Sequence, residues 1–364
     1  MNGPILDSHQ IHEIIRGLSP EHILRKSPQG YVDDFVKAAL DVYIPDLLQK
    51  NLQHKFFIPD ETNYSDEAYY RCASELSVSY YLKQKAKAGL LTNFELEKRL
   101  NFNPNDNPPN LKDVDNFFHA GPTKVSVEVK CPQEDKQAPF PGTITLKSAG
   151  RLPDPKQIDH LRDELESHPT GASGTKFAKG KNPDLRMKDC LESANGKFNF
   201  KSGVDDLNVL FLSCGRYDKM NEWYNCLNGT QGLFTGHSFA PEARCPKVDL
   251  VIISNFRYRH EYARAYPAWT LDDILLLPVV NPHRRSNCTT EATKEGLSVF
   301  NHYLKAFASF EPSGLIWSEH SETKADIQKT LKVNYFVMEY LKPGEFSRFF
   351  PTIDRAKAFE PPDS

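Results

Sequence analysis

The sequence predicts an α/β protein: a mixed central β-sheet flanked by helices, with a mostly helical N-terminal extension. Three observations lead there. The continuous apolar runs NVLFLSC (208–214) and VDLVIIS (248–254) have the composition of strands covered on both faces. Two alternating segments, LKDVDNFF (111–118) and TKVSVEVK (123–130), flank a short Gly-Pro turn and read as a hairpin. Segments with helical spacing precede, separate and follow these runs.

Taken in order, residues 7–58 read as helical, with Tyr31, Phe35, Ala38 and Val42 at helical spacing. A stronger helix follows from Asp66. Ser65 is its natural cap, acids occupy its first turn, lysines lie near its end, and Tyr69, Cys72, Leu76 and Tyr80 form one stripe. NFNPNDNPPN (101–110) is a breaker-rich loop leading into the hairpin. Beyond Pro132 the pattern weakens: TITLKS is a candidate short strand, PDPKQIDHLRDELES a helix starting near Pro155, and 167–182 a mobile loop without apolar period. The next helix carries Met187, Leu191, Ala194 and Phe198 on one face, and another, after the run at 208–214, has Met220, Trp223, Tyr224 and Leu227 in phase. DILLLPVV (273–280) reads as a further buried strand, and helix returns around Leu297, Phe300, Leu304 and Phe307, with a polar tail from Pro351. The division is a helical N-terminal extension (1–60), an α/β core (61–290) with an insertion at 131–182, and a C-terminal helical segment with its tail (291–364).

Composition narrows the function classes. With 364 residues, 39% of them hydrophobic, the chain is long enough to bury a large core. A net charge of −3 supplies no global attraction to nucleic acid, so such binding has to come from local basic patches. The 7 cysteines are scattered without a C-x-x-C pair, which argues against a disulfide framework or zinc knuckle and for reduced thiols in the cytoplasm. No apolar signal core or membrane-length apolar run is present, so the expectation is a protein neither secreted nor membrane-spanning.

The hairpin holds the chemistry. Val125, Val127 and Val129 share one face of the second strand; Ser126, Glu128 and Lys130 share the other. A symmetric six-residue connection at 119–124 places Asp115 opposite Glu128, their Cβ atoms roughly 4.5–5.5 Å apart. Two carboxylates so close repel, and Mg²⁺, a hard cation preferring oxygen ligands, is the natural relief. Lys130, two residues on and on the same face, is placed to touch a metal-bound water or a phosphate oxygen. The group is expected at a polar sheet edge.

Asp115, followed after twelve intervening residues by Glu128-Val129-Lys130, resembles the D…(D/E)-x-K signature of the PD-(D/E)XK, or restriction-endonuclease-like, nuclease superfamily. The core of that family is a helix, a hairpin bearing the motif, a second helix and a further strand, the order read here from 66 to 214. The resemblance implies an endonuclease that hydrolyses phosphodiester bonds in DNA, in a setting such as restriction or defence against foreign DNA. It further implies that Asp115 and Glu128 bind Mg²⁺, with Mn²⁺ able to substitute, joined by the Val129 carbonyl. Lys130 would assist the attacking water, and Glu75, in the preceding helix, would add a ligand. Duplex DNA is the implied partner, and a homodimer is allowed. Val114 stands where the signature has proline, a frequent variation.

Three other D/E-x-K strings, starting at Glu134, Asp154 and Glu322, lack an apolar strand paired with an aspartate-bearing one. Asp113 shares a face with Asp115 and is assigned a minor role. His9, His12 and Glu13 form H-x-x-H-E, which is no zincin pattern and reads as helix decoration. Between 176 and 201, Lys176, Lys179, Lys181, Arg186, Lys188, Lys197 and Lys201 stand against Asp184, Asp189 and Glu192. This local positive excess makes Lys176, Lys179, Lys181 and Lys188 candidates for contacts to a phosphate backbone. The rival reading is a nuclease-like module that binds nucleic acid or a partner protein and has lost its chemistry.

Overall fold

The computed structural model describes residues 6–57, 65–101, 111–132, 143–146, 160, 163–164, 176–179, 183–198, 206–215, 217–229, 231–261, 263, 268–269, 276–285 and 290–300. Helices α1 (Ser8–Gly17), α2 (Ile23–Lys26), α3 (Gln29–Val42) and α4 (Pro45–Asn51) come first, the last running into a π-helical turn at Leu52–Phe56. The long α5 (Asp66–Lys87) leads into β1 (Thr92–Asn101), β2 (Leu111–Ala120) and β3 (Thr123–Lys130). After β4 (Thr143–Leu146) and β5 (Lys176–Lys179) the chain continues through α6 (Pro183–Lys197), β6 (Asp206–Ser213) and α7 (Tyr217–Asn228). It then forms β7 (Leu250–Ser254), α8 (Phe256–Glu261), β8 (Leu276–Val280) and α9 (Thr290–Ser298).

The main sheet has six strands in the order β1-β2-β3-β6-β7-β8. The pairs β1–β2, β2–β3 and β7–β8 are antiparallel, whereas β3–β6 and β6–β7 are parallel. Side-chain alternation assigns the two faces. Val125, Val127, Val129, Leu207, Val209 and Phe211 pack with Val78 and Leu82 of α5 and Phe300. Leu210, Leu212, Val251 and Ile253 pack on the other side with Met187 and Leu191 of α6 and Met220 and Trp223 of α7. On the first side Gly296 lets α9 approach the sheet, since a Cβ there would lie 2.2 Å from Leu207 Cδ2.

Helix α5 is capped as its sequence predicts, Ser65 accepting from the Ala68 amide. Its stripe of Tyr69, Cys72, Leu76 and Tyr80 faces away from the sheet, against Tyr31, Phe35 and Phe56 of the N-terminal segment. The opposite stripe, with Val78 and Leu82, faces the sheet. A helix buried on both sides needs its polar groups matched. Ser74 Oγ sits 2.8 Å from Ser213 Oγ, and Ser77 Oγ is 2.9 Å from His260 Nε2.

Four expectations need correction. The hairpin is a three-stranded meander, because β1 precedes it; TNFELEKRLN has too many charged residues to show an alternating apolar pattern. The turn is two residues, Gly121-Pro122, with Gly121 at φ +59° and Ala120 already paired with Thr123. It shares its centre with the expected six-residue turn, so the register agrees as far as Asn116–Val127, but the ladder ends there and the expected pair Asp115–Glu128 is not formed. Residues 176–179, expected in a mobile loop, form β5, held by a parallel ladder to β4 in a separate two-stranded sheet. The strand around 276–280 is the outermost on its side among the described residues, consistent with Pro278 in a strand without a further partner to serve. Most of the helix expected from Pro155, Lys181, Leu304, Phe307 and the tail from Pro351 lie outside the described residues.

At the lower end of β6 and β7 a buried ion pair joins Arg285 to Asp249, with Nη2–Oδ2 at 2.5 Å and Nε–Oδ1 at 3.2 Å. Asp249 Oδ2 also accepts the Asn208 amide at 2.8 Å. Removing one partner strands the other charge in the core. Arg285→Ala is therefore expected to cost about 3–5 kcal/mol of unfolding free energy, read by urea denaturation.

Candidate active site

The β2–β3 ladder runs from the turn to the pair Asn116–Val127. Beyond it each strand keeps only its other neighbour: β3 stays paired with β6 to Lys130–Leu212, and β2 with β1 to Leu111–Asn101. At this fork the Asp115 carboxylate takes the place of the ladder, Oδ2 accepting the Val129 amide at 2.6 Å. A residue in a strand sends its N–H and C=O to the same edge, so the Val129 carbonyl also faces the fork.

Glu128 lies on the α6 side of the sheet and is fully buried. Its Oε1 has two ammonium partners, Lys130 Nζ at 2.7 Å and Lys197 Nζ at 2.6 Å. Its Oε2 is buried with no hydrogen-bond partner. The expectation of a polar sheet edge is therefore corrected: β3 is an inner strand, and α6 covers this face. Lys197 is the last residue of α6, and the sequence reading counted it only as one charge of a basic stretch.

The remaining charged groups come from distant segments. Glu75, on α5, has Oε2 3.4 Å from Lys55 Nζ, in the π-helical turn. Lys55 also stands 3.5 Å from Glu97 Oε1 on β1. Glu97 adopts φ +46°, a left-handed conformation that costs a non-glycine residue about 1–2 kcal/mol. The Tyr43 hydroxyl is held well above its ordinary pKa, first by burial and then by Glu75, Cys72, Glu97 and Asp115 around it. Glu97, Lys55 and Tyr43 were not anticipated. No spacing in the sequence links them to the hairpin.

Electrostatics follow from this crowding. The Asp115 carboxyl is raised well above the usual carboxylate range, first by burial and then by Glu128 and Glu75, against the opposing pull of Lys197 and the Val129 amide. Burial would lower Lys130, but Glu128 overcomes it and the ammonium is held more firmly than usual. Lys55 behaves alike, with Glu75 and Glu97 outweighing burial.

All potential ligands here are oxygens, the donor type a hard divalent cation takes, and neither Glu128 oxygen is hydrogen-bonded although Oε1 is ion-paired to two lysines. Among the described residues no group of three or more His, Cys, Asp or Glu side chains converges closely enough to hold a metal. Glu75 turns to Lys55 instead of joining Asp115 and Glu128. The oxygens left at the fork are those of Asp115, Glu128 and the Val129 carbonyl.

Other candidates fall outside this site. Asp113 stands 3.6 Å from Arg99. His12 contacts the Ser8 carbonyl and Asp33, and Glu13 pairs with Arg16, so the H-x-x-H-E residues serve α1 and its neighbour. Lys176 and Lys179 lie on β5, and Lys188 pairs with Glu192 and Glu242, each at 3.5 Å. No family model, curated protein or solved structure matches the chain.

The raised Asp115 pKa means that folding favours its protonated form. The stability this contributes is present near pH 4 and is lost as pH rises through the raised value. Asp115→Asn keeps an acceptor for the Val129 amide without the charge. It should exceed the wild type in unfolding stability at pH 8 by about 1 kcal/mol, the gap closing toward pH 4 in thermal melts run without divalent ions.

Proposed function

We propose that the chain is a divalent-metal-dependent endonuclease that hydrolyses phosphodiester bonds in DNA, built on a restriction-endonuclease-like core of α5, β1–β3, α6 and β6. The observation that carries this reading is the fork itself. There a carboxylate from each strand, a main-chain carbonyl and a lysine two residues from the buried glutamate meet at the break between β2 and β3. The order of helix, meander, helix and parallel strand agrees with the core that the D…(D/E)-x-K resemblance implies.

In this reading Asp115, Glu128 and the Val129 carbonyl hold Mg²⁺ or Mn²⁺. A divalent ion held there would supply an acidified water and positive charge toward the phosphoryl oxygens. Lys130, kept protonated by Glu128, orients that water and faces the scissile phosphate. Glu75 reaches the metal only by leaving Lys55, which makes it an auxiliary ligand at most. Lys176, Lys179, Lys181 and Lys188 are the proposed backbone contacts; Lys188 has to exchange two glutamates for phosphate. Restriction or another defence against foreign DNA is the proposed setting, with duplex DNA as substrate and a homodimer compatible with it.

A second reading has one observation in its favour. Two lysines already neutralise Glu128, as expected for a nuclease-like module that binds nucleic acid or protein without chemistry. Incubation with plasmid, linear duplex and single-stranded DNA separates the two. The nuclease is expected to cut in Mg²⁺ and Mn²⁺, to bind without cutting in Ca²⁺, and to lose at least about a hundredfold in rate on Asp115→Asn, Glu128→Gln or Lys130→Met. Asp113→Asn serves as control. Intact DNA in every metal would leave the binding module.

A further inference from the structure

Among the described residues, Lys197 is the one charged residue paired with Glu128 that the proposed chemistry does not use. Its ammonium and that of Lys130 share Glu128 Oε1, at 2.6 and 2.7 Å, and Glu128 has no exposure to water. The protein alone therefore neutralises this carboxylate. Among the described residues of the site, Glu75, Glu97, Asp115 and Glu128 stand with Lys55, Lys130 and Lys197, four acids against three ammoniums. Such a balance leaves little attraction for a dication arriving alone. Two added positive charges require either an accompanying anion or the departure of a lysine.

The two lysines on Glu128 differ in freedom. Lys130 belongs to the same strand as Glu128 and is held in the ladder to Leu212. Lys197 ends a helix instead, so only its backbone setting distinguishes it: the two side chains are similarly exposed, 30% for Lys197 and 27% for Lys130. Departure of Lys197 from the buried carboxylate is costly unless a cation takes its place there, which ties the two events together.

We propose that Lys197 is a positioning residue that couples metal binding to phosphate binding: it holds Glu128 in the absence of the cation and transfers to a nucleic-acid phosphate when metal and DNA enter together. This rests on the nuclease reading above. The coupling is reciprocal, so DNA tightens the metal by the same factor as the metal tightens DNA. With the ammonium gone, the metal no longer competes with it for Glu128 and the phosphate loses a partner.

The test is calorimetric titration of MgCl₂ and CaCl₂ into the full chain, repeated in Ca²⁺ with a duplex oligonucleotide. Lys197→Met is expected to bind either ion about tenfold more tightly than wild type without DNA. The same variant should bind the duplex more weakly in Ca²⁺, and the gain in metal affinity on adding DNA should shrink. Lys197→Gln should behave like Lys197→Met. Lys197→Arg, which keeps the charge, should resemble wild type. Unchanged or weakened metal affinity in folded Lys197→Met overturns the inference. So does a failure of both neutral variants to fold while Lys197→Arg folds, since the ammonium is then a structural counter-ion. A wild type that binds metal and cuts DNA alongside an unaltered variant sinks the coupling alone. A wild type that binds neither metal nor DNA removes the nuclease reading with it.

Discussion

A carboxylate with no contact to water, set in the middle of an inner strand, is the constraint around which this molecule is arranged. Moving an isolated carboxylate into such a place costs several kcal/mol even after relaxation, and the cost is offset only by close, well-placed positive charge. Lys130 supplies one such charge from the same strand, and Lys197 the other from the end of α6. The second contact ties the end of α6 to one spot on β3. The apolar face formed by Met187, Leu191, Ala194 and Phe198 then has to lie on the sheet for Lys197 to arrive there. Packing and charge thus specify the same placement of one helix, a consistency between levels that favours a single fold.

The fork follows from the same neighbourhood. Two strands that parted without compensation would leave a buried amide unpaired, at about 1–3 kcal/mol. Asp115 meets that amide with its side chain, so the break in the ladder and the presence of an acid at this position are one feature. Beyond the fork, the N-terminal helices are more than a covering layer. They bury the outer stripe of α5 and bring Tyr43 and Lys55 to the carboxylates. A buried chain of polar groups, Tyr69–Tyr31–His260–Ser77, pins α3, α5 and α8 together at hydroxyl and imidazole contacts of 2.9 Å. Burial holds His260 down to about 3, so this chain stays neutral across ordinary pH and works as a fixed joint.

What the sequence disclosed depended on whether the signal was local. Strict alternation in TKVSVEVK assigned Glu128 and Lys130 to one face. Symmetry about the Gly121-Pro122 turn set the register that holds from Ala120–Thr123 to Asn116–Val127, even with the turn taken as too long, but the expected pair Asp115–Glu128 lies just beyond the end of the ladder. Helical stripes such as Met187, Leu191, Ala194 and Phe198 were equally legible. Strand β1 was not, since Glu95, Glu97, Lys98 and Arg99 mask its alternation and it is the outermost strand on that side among the described residues. Burial of Glu128 was also illegible: a Glu-x-Lys on one face of a strand looks solvated until a helix from the far side of a long insertion is known to cover it. Lys197 was visible as a charge but not as a partner. Helical phase says which residues share a face, not what that face meets.

Charge is the last link between fold and function. The chain carries a net charge of −3, so under the proposed reading any attraction to DNA has to be local, yet among the described residues Lys130 and Lys197 are already committed to Glu128. A phosphate group entering there competes with Glu128 for the same ammoniums, and a divalent cation competes with the same ammoniums for Glu128. Under the proposed coupling each competitor removes the other's obstacle, so the two ligands together would be favoured over either alone, and the site would stay quiet when only one of them is present. That property comes from placing two lysines, one on a strand and one at the end of a helix, on a single buried oxygen.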